Sequence, residues 1–358
     1  MKRVLFLSKI SNFLFIWGFI IPKRDIHCTK ICLHLFFYRG IKSFLILLLL
    51  FTFSFLLFTG CERNYNSITN QPVEPRITSH EFEWELDTLG GPHQWQFFPQ
   101  NIWGTDEKNV WIVSYGPTNY ELLHYWNGKK WENRTPFFNT SYVLYDIHGF
   151  SNQDLWIAGD DDYYDNINHV IKSQALVAHF NGTDWELFNQ FNIPYACESI
   201  WGTSSNNIHV GCTGGIFMHF DGQQWDIQDT GTKARIITIF GFDSHNIFAG
   251  GIGGDKKPPQ DTTKYFIFKY NEGTWEVLNE YYRWYKRQPM LNISTDFGHR
   301  TLWGKDGVLY SGGLGLYRYS GGDRWDPIFD KNTFISKIYG NGLNDIFALE
   351  VFKGIYHY

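Results

Sequence analysis

A unit of roughly 40 to 50 residues recurs along the chain, and a recurrence of that period restricts the fold more than any single motif. Its first landmark is a triplet ending in glycine: Ile102-Trp103-Gly104, Ile147-His148-Gly149, Ile200-Trp201-Gly202, Ile239-Phe240-Gly241, Leu302-Trp303-Gly304 and Ile338-Tyr339-Gly340. A short polar segment follows, then an apolar segment that opens in most units with Asn109, Asp154, Asn207, Asn246 or Asp345. The third landmark is Asn127-Gly128, Asn181-Gly182, Asp221-Gly222, Glu272-Gly273 or Gly321-Gly322, followed by Trp131, Trp185, Trp225, Trp275 or Trp325. Each unit therefore predicts four short strands. The first ends at the glycine of the triplet, the second starts after the Asn or Asp, and the third carries alternating apolar residues. The fourth starts at the Trp. Asn-Gly and Asp-Gly between the third and fourth strands are strong hairpin signals, because such turns require positive φ.

Four-stranded units marked by glycine and aromatic residues are the pattern of β-propeller blades. Residues 80–358 are read as one all-β domain, a six-bladed β-propeller with four antiparallel strands per blade. The sixth unit stops at His357-Tyr358 without a fourth strand. Trp84-Glu85-Leu86 matches Trp185-Glu186-Leu187 and Trp275-Glu276-Val277, and Trp84 lies 20 residues before Gly104, against 18 from Trp131 to Gly149 and 17 from Trp185 to Gly202. The N-terminal strand is thus expected to complete the last blade, close the ring and remove an open sheet edge.

The repeat resembles a W-G-x-x-x-x-x-D-[VI]-W-x-V-G … H-Y-[ND]-G-x-x-W unit of bacterial secreted lipoproteins. It is similar in kind to Asp-box, sialidase-like and two-component-regulator propeller repeats. That resemblance implies a scaffold or binder, with glycosidases as the alternative. A sialidase-like site requires three arginines, a tyrosine nucleophile assisted by Glu, and an Asp acid. Arg235, Arg283, Arg287, Arg300, Arg318 and Arg324 are available, but no sequence frame selects a triad. No nucleotide loop, zinc spacing or nucleophile elbow is present, so neither enzyme chemistry nor a cofactor is expected.

Residues 1–60 read as a leader. Residues 43–60 are an unbroken apolar run behind Arg39 and Lys42, and Leu57-Phe58-Thr59-Gly60-Cys61 resembles the lipobox of bacterial lipoproteins. The resemblance implies cleavage before Cys61 and lipidation of its sulfur. A second apolar stretch within residues 1–40 fits either a start assigned too far upstream or a two-pass anchor. Residues 61–79 are the lipidated Cys and a polar tether without periodicity. The expected location is the cell envelope, at the outer membrane, with a protein or glycan partner. The net charge of −5 and the absence of a Lys/Arg-rich run in residues 80–358 argue against nucleic acid.

Of the 15 tryptophans, 11 sit at repeat positions and read as packing residues. The long insertions, residues 160–174, 252–264 and 279–300, all map to one face of the ring, where the second strand joins the third and the fourth joins the next unit. Insertions gathered on one face mark a binding face. The richest is Tyr281-Tyr282-Arg283-Trp284-Tyr285-Lys286-Arg287, which combines residue types that dominate binding hot spots. Tyr281, Tyr282, Arg283, Trp284, Tyr285, Arg287, Asp161 and Asp162 are the candidate binding face. Asp160, Asp161, Asp162 and Asp165 lack the spacing of a calcium loop and read as a solvated acidic loop, so no metal site is expected. His124, His179, His219 and His357 lie on third strands and read as structural. Cys197 and Cys212 fall opposite each other in the first hairpin of the third unit, which makes a disulfide plausible in an oxidising compartment.

Overall fold

The structure, a computed structural model, describes residues 5–8, 84–87, 98–115, 122–138, 140–166, 169–188, 191, 193–253, 256–257, 260–284, 297–351 and 353–357. The chain divides into residues 1–16 with 78–358 as one compact unit and residues 17–77 as another. The apolar run, Cys61 and the tether lie outside the described residues. Among the described residues no helix is long and apolar enough to cross a membrane.

Two short strands, β1 (Leu5–Ser8) and β2 (Trp84–Asp87), pair antiparallel with each other. The first four-stranded sheet is β3 (Phe98–Asp106), β4 (Asn109–Tyr115), β5 (Leu123–Trp126) and β6 (Trp131–Asn133). The second is β7 (Ser141–Ser151), β8 (Asp154–Asp165), β9 (Val170–Phe180) and β10 (Trp185–Phe188). The third is β11 (Cys197–Ser204), β12 (Asn207–Cys212), β13 (Ile216–Phe220) and β14 (Trp225–Asp229). The fourth joins β15 (Arg235–Gly241), β16 (Ile247–Gly253), β18 (Gln260–Asn271) and β19 (Thr274–Trp284), with the two-residue β17 (Lys256–Lys257) against β18. Next come β20 (Thr301–Lys305), β21 (Val308–Gly321), β22 (Arg324–Gly342), β23 (Asp345–Glu350) and β24 (Gly354–His357). The long β22 serves two ladders: its first half pairs with β21 and its second with β23, which in turn pairs with β24.

Each ladder is antiparallel and, apart from the insertion of β17, follows chain order. The first strands of successive sheets lie side by side, β3 beside β7, then β11, β15, β20 and β22. That arrangement is a β-propeller. The recurrent hairpins follow from their sequence. In the second sheet Asn181 Oδ1 accepts the N–H groups of Thr183 and Asp184 at 3.0 and 2.9 Å, and Gly182 takes φ +98°. Asp221 does the same for Gln223 and Gln224 at 2.8 Å each. The side chain folds the turn, and glycine supplies the left-handed backbone.

The triplet glycine has a second use, in packing. A Cβ on Gly241 would lie 2.4 Å from the Trp201 ring of the preceding sheet, and one on Gly149 would lie 2.8 Å from Trp103. Trp303 meets Gly340 in the same way. The indole of one unit thus fills a slot that only glycine in the next leaves open. Between neighbouring sheets lie separate apolar clusters, such as Trp156, Ile200, Ile208, Val210 and Met218. Burying an aromatic of this kind contributes roughly 2–3 kcal/mol.

One expectation is corrected here. Trp84–Asp87 pairs with Leu5–Ser8 (Trp84 with Ser8, Asp87 with Leu5) and not with the last sheet. The two four-residue segments satisfy each other's backbone groups along their length, which leaves β24 as an open edge in this structure.

Candidate functional site

Three residues before each landmark glycine stands a polar side chain: Asn101, Asp146, Ser199, Thr238, Thr301 and Lys337. They lie on β3, β7, β11, β15, β20 and β22, and each joins its strand to a neighbour. Asn101 donates its amide to Asp146. Asp146 Oδ2 accepts the Ile200 N–H at 2.8 Å, and Ser199 Oγ donates to the Ile236 carbonyl at 3.1 Å. Thr238 and Thr301 accept the N–H groups of Leu302 and Ile338, both at 3.3 Å. Finally Lys337 Nζ and the Tyr339 hydroxyl donate to Asn101 Oδ1 at 3.4 and 2.8 Å, so the last links return from β22 to β3. This polar belt satisfies inner-strand N–H groups that no ladder uses.

Asp146 and Lys337 are only half-buried by accessible surface, yet both are strongly desolvated. Burial pushes the Asp146 carboxyl up and the Lys337 ammonium down, each opposed by the other's charge. Partly accessible yet strongly desolvated side chains fit the inner strands of a propeller, which face its axis.

Toward the start of the same strands charged groups gather, and that end is called the mouth. The ladders of β7 and β11 each skip one residue, between Leu144 and Asp146 and between Cys197 and Ser199. The skipped residues are Tyr145 and Glu198. Such bulges re-aim side chains. Glu198 receives both Nε and Nη2 of Arg235 at 2.8 and 2.5 Å, and the Thr213 hydroxyl at 3.1 Å. Arg300, exposed just before β20, stacks 5.8 Å from the centre of the Phe334 ring. Its own burial, then the charge of Arg235, depresses its pKa. Asp160 on β8 is 8% exposed, and its Oδ1 has no hydrogen-bond partner among the described residues. Burial, with the charges of Asp162, Glu198 and Asp161, pushes its carboxyl up to about 7. Burial first, then Asp160 and Glu198, raise the Tyr145 hydroxyl above its ordinary value. The mouth therefore has an acidic half (Asp160, Asp162, Glu198) and a basic half (Arg235, Arg300, Lys337).

Exposed aromatics lie at the same end of the sheets. Tyr115 is 46% exposed, Phe137 82% and Tyr195 41%. They stand at the end of β4 and in the β6–β7 and β10–β11 connections, the end of the sheets from which the inner strands start.

The candidate face read from sequence is placed only in part. Tyr281, Tyr282, Arg283 and Trp284 belong to no loop; they extend β19, in register with Tyr265, Lys264, Thr263 and Thr262. The correction has a physical cause, since β-branched and aromatic residues on both sides favour continued pairing. Tyr281 is half-buried against a cluster that includes Tyr265, Phe297 and Tyr317. Tyr285 and Arg287 lie outside the described residues. The acidic insertion is likewise a hairpin, with Asp160 to Asp165 paired to Ala175 to Val170. Asp161 is 1% exposed and accepts from Gln174 at 2.9 Å, while Asp162 accepts from Ser173 at 2.6 Å. Asp160 and Asp161 are thus buried and not solvated. Among the described residues no group of His, Cys, Asp and Glu could hold a metal ion.

The third-strand histidines connect two strands of one sheet. His179 Nε2 lies 2.9 Å from Asp154 Oδ1, His219 Nε2 2.7 Å from Asn207 Oδ1, and His357 Nε2 2.8 Å from Asp345 Oδ1. In the first sheet Tyr125 takes this place, its hydroxyl donating to Asn109 Oδ1 at 2.5 Å, and His124 is a separate buried residue whose pKa burial lowers to about 4. Cys197 and Cys212 face each other in register, and their sulfurs are bonded.

Sequence reasoning passed over Asp146, Lys337, Tyr145 and Glu198. The available signal was the polar residue three positions before every landmark glycine.

No family profile matches the chain, and no curated protein matches it by sequence. Solved structures similar to it include YCF48 bound to a D1 peptide, at 14% identity over 72% of this chain and 77% of that one, with a TM-score of 0.48. The β-propeller domain of Vanderwaltozyma polyspora Nup133 is 10% identical over 78% of this chain and 86% of that one, with a TM-score of 0.43. The WD40 β-propeller domain of Doa1 is 10% identical over 75% and 93%, with a TM-score of 0.40.

Proposed function

We propose that this chain is an envelope lipoprotein whose six-bladed β-propeller binds a protein or glycan at the charged mouth, where its inner strands start. The observation that carries the reading is the convergence of Tyr145, Asp160, Asp162, Glu198, Arg235 and Arg300 from separate sheets on one end of the inner strands. Residues needed only for packing have no reason to bring one strongly desolvated carboxylate, two further carboxylates and two guanidinium groups together. The test is binding by the full chain in detergent to immobilised glycans and peptides, beside Arg300→Ala. Retention of a ligand by the chain and its loss in the variant support the reading; equal binding by both refutes it.

Anchoring through Cys61 and closure of a six-bladed ring belong to the same proposal. The side-chain links from Lys337 and Tyr339 to Asn101 support six blades, because they join the last inner strand to the first. Cleavage before Cys61 removes Leu5–Ser8 and frees Trp84–Asp87 for the open edge of β24. The register of β10 on β9, with Trp185 opposite Phe180 and Leu187 opposite Ala178, would set Leu86 opposite Tyr356. A Leu86→Cys, Tyr356→Cys pair should cross-link in the processed chain only. Incorporation of labelled palmitate should vanish in Cys61→Ala.

One observation favours a second reading, a sialidase-like hydrolase. Tyr145 stands near Glu198 and Arg235, with Asp160 held at about 7, where a general acid is effective. Release of fluorophore from a sialoside, abolished in Tyr145→Phe, would establish it.

A further inference from the structure

Resting on the reading of the mouth as a binding site, we infer that its ligand is a peptide segment carrying both an acidic and a basic side chain, the acidic one received by Arg300 and the basic one by Asp162 near Asp160. Each half of the mouth contains groups committed within the protein and a group left over. Glu198 and Arg235 satisfy each other through two hydrogen bonds, and that pair separates the halves. On the basic side Arg300 is exposed, stacks on Phe334 and lies close enough to Arg235 to be repelled by it, and no carboxylate pairs with it among the described residues. On the acidic side Asp160 is more than nine-tenths buried with an oxygen that has no partner among the described residues, and the half-buried Asp162, two residues along β8, accepts only from Ser173 among them.

A ligand of one sign would relieve one half and be opposed by the other. A neutral sugar would leave both mismatched, and desolvating unmatched charge is costly. A segment with both signs, spaced by a few residues, answers both halves at once. Tyr115, Phe137 and Tyr195, at the same end of the sheets, offer the flat apolar contact that a peptide backbone and its neighbouring side chains use.

Selection of displayed random dodecapeptides on the full chain in detergent tests the inference. The wild-type chain should enrich peptides containing both Asp/Glu and Lys/Arg. Arg300→Glu, a reversal at an exposed position, should weaken those peptides at least tenfold and, on reselection, enrich peptides in which the acidic residue is replaced by a basic one. Asp162→Asn should remove the preference for the basic residue. If peptides bind but their charges are indifferent to both substitutions, and Phe137→Ala with Tyr195→Ala abolishes binding, the mouth face is a docking surface and the charge inference is wrong. If no peptide binds, the charge inference fails; glycans retained by the same preparation would then uphold the broader reading.

Discussion

Removing one carboxylate should loosen the structure where β22 reaches β3. Asp146 accepts from Asn101, from the Ile200 N–H at 2.8 Å and from the Ile147 N–H at 2.9 Å, and its charge faces Lys337. Asp146→Ala strips these groups of their acceptor and leaves the ammonium enclosed without its counter-charge. Breaking such a pair from one side costs about 3–5 kcal/mol. Water reaching these half-buried groups can solvate part of what is exposed, so the lower end, about 3 kcal/mol, is expected. Lys337→Met should cost less, because Asp146 keeps its hydrogen bonds. The double variant should be more stable than the sum of the singles predicts, by roughly 1–3 kcal/mol. Urea unfolding followed by tryptophan fluorescence measures all four proteins, and equal m-values would show that stability alone has changed. Hydrogen exchange in Asp146→Ala should accelerate in β3 and β22 before it does in β13. Strict additivity of the two substitutions, or a loss below about 1 kcal/mol for Asp146→Ala, would refute a coupled latch.

Four further outcomes follow from the packing and the titrating groups. Trp201→Ala should destabilise by about 3–5 kcal/mol, since the indole fills the slot over Gly241; a cost near that of an exposed tryptophan would contradict the slot. Reducing the Cys197–Cys212 bond, whose partners are 15 residues apart, should lower stability by about 3 kcal/mol, and an unfolding midpoint unmoved by dithiothreitol would argue against its contribution. Burial lowers His209 to about 3, so the fold holds it neutral; relative to His209→Phe, the wild type should lose about 1.4 kcal/mol per pH unit as pH falls from 6.5 toward 3. Asp160 has the opposite sign: its raised pKa of about 7 means stability present at low pH and lost as pH rises, so Asp160→Asn should gain on the wild type from about pH 4 to 7. A difference curve flat in pH would sink either assignment.

The strands were legible because their signals are local. Asn181-Gly182 and Asp221-Gly222 specify their turns through side-chain bonds two and three residues long. The Trp-Gly pairs were legible as packing, though not the fact that each indole meets the glycine of the next unit. The belt was not legible: a Ser, a Thr, an Asp and a Lys at equivalent positions share no chemistry as residue types. They share only a place where a neighbouring N–H or carbonyl needs a partner. The mouth was hidden for a related reason. Tyr145 and Glu198 reach it because the ladder skips one residue, and an extra residue on a strand leaves no mark in composition. The insertions contain Asp160, Asp162 and Arg300 of the mouth, but the richest run, Tyr281 to Trp284, lies in a strand, because such a run can pair as readily as it can form a loop.

In alternate units an indole and the glycine slot of the next unit form a joint with two different halves. Trp103 with Gly149, Trp201 with Gly241 and Trp303 with Gly340 are its three instances. A fragment cut at two such joints ends with a protruding ring on one side and an empty notch on the other. Copies of such a fragment are complementary head to tail, a contact that generates filaments when it does not close. Seating each indole in its glycine slot within one chain is then a solubility device: it consumes at home the adhesive ends that a broken array would offer to its neighbours.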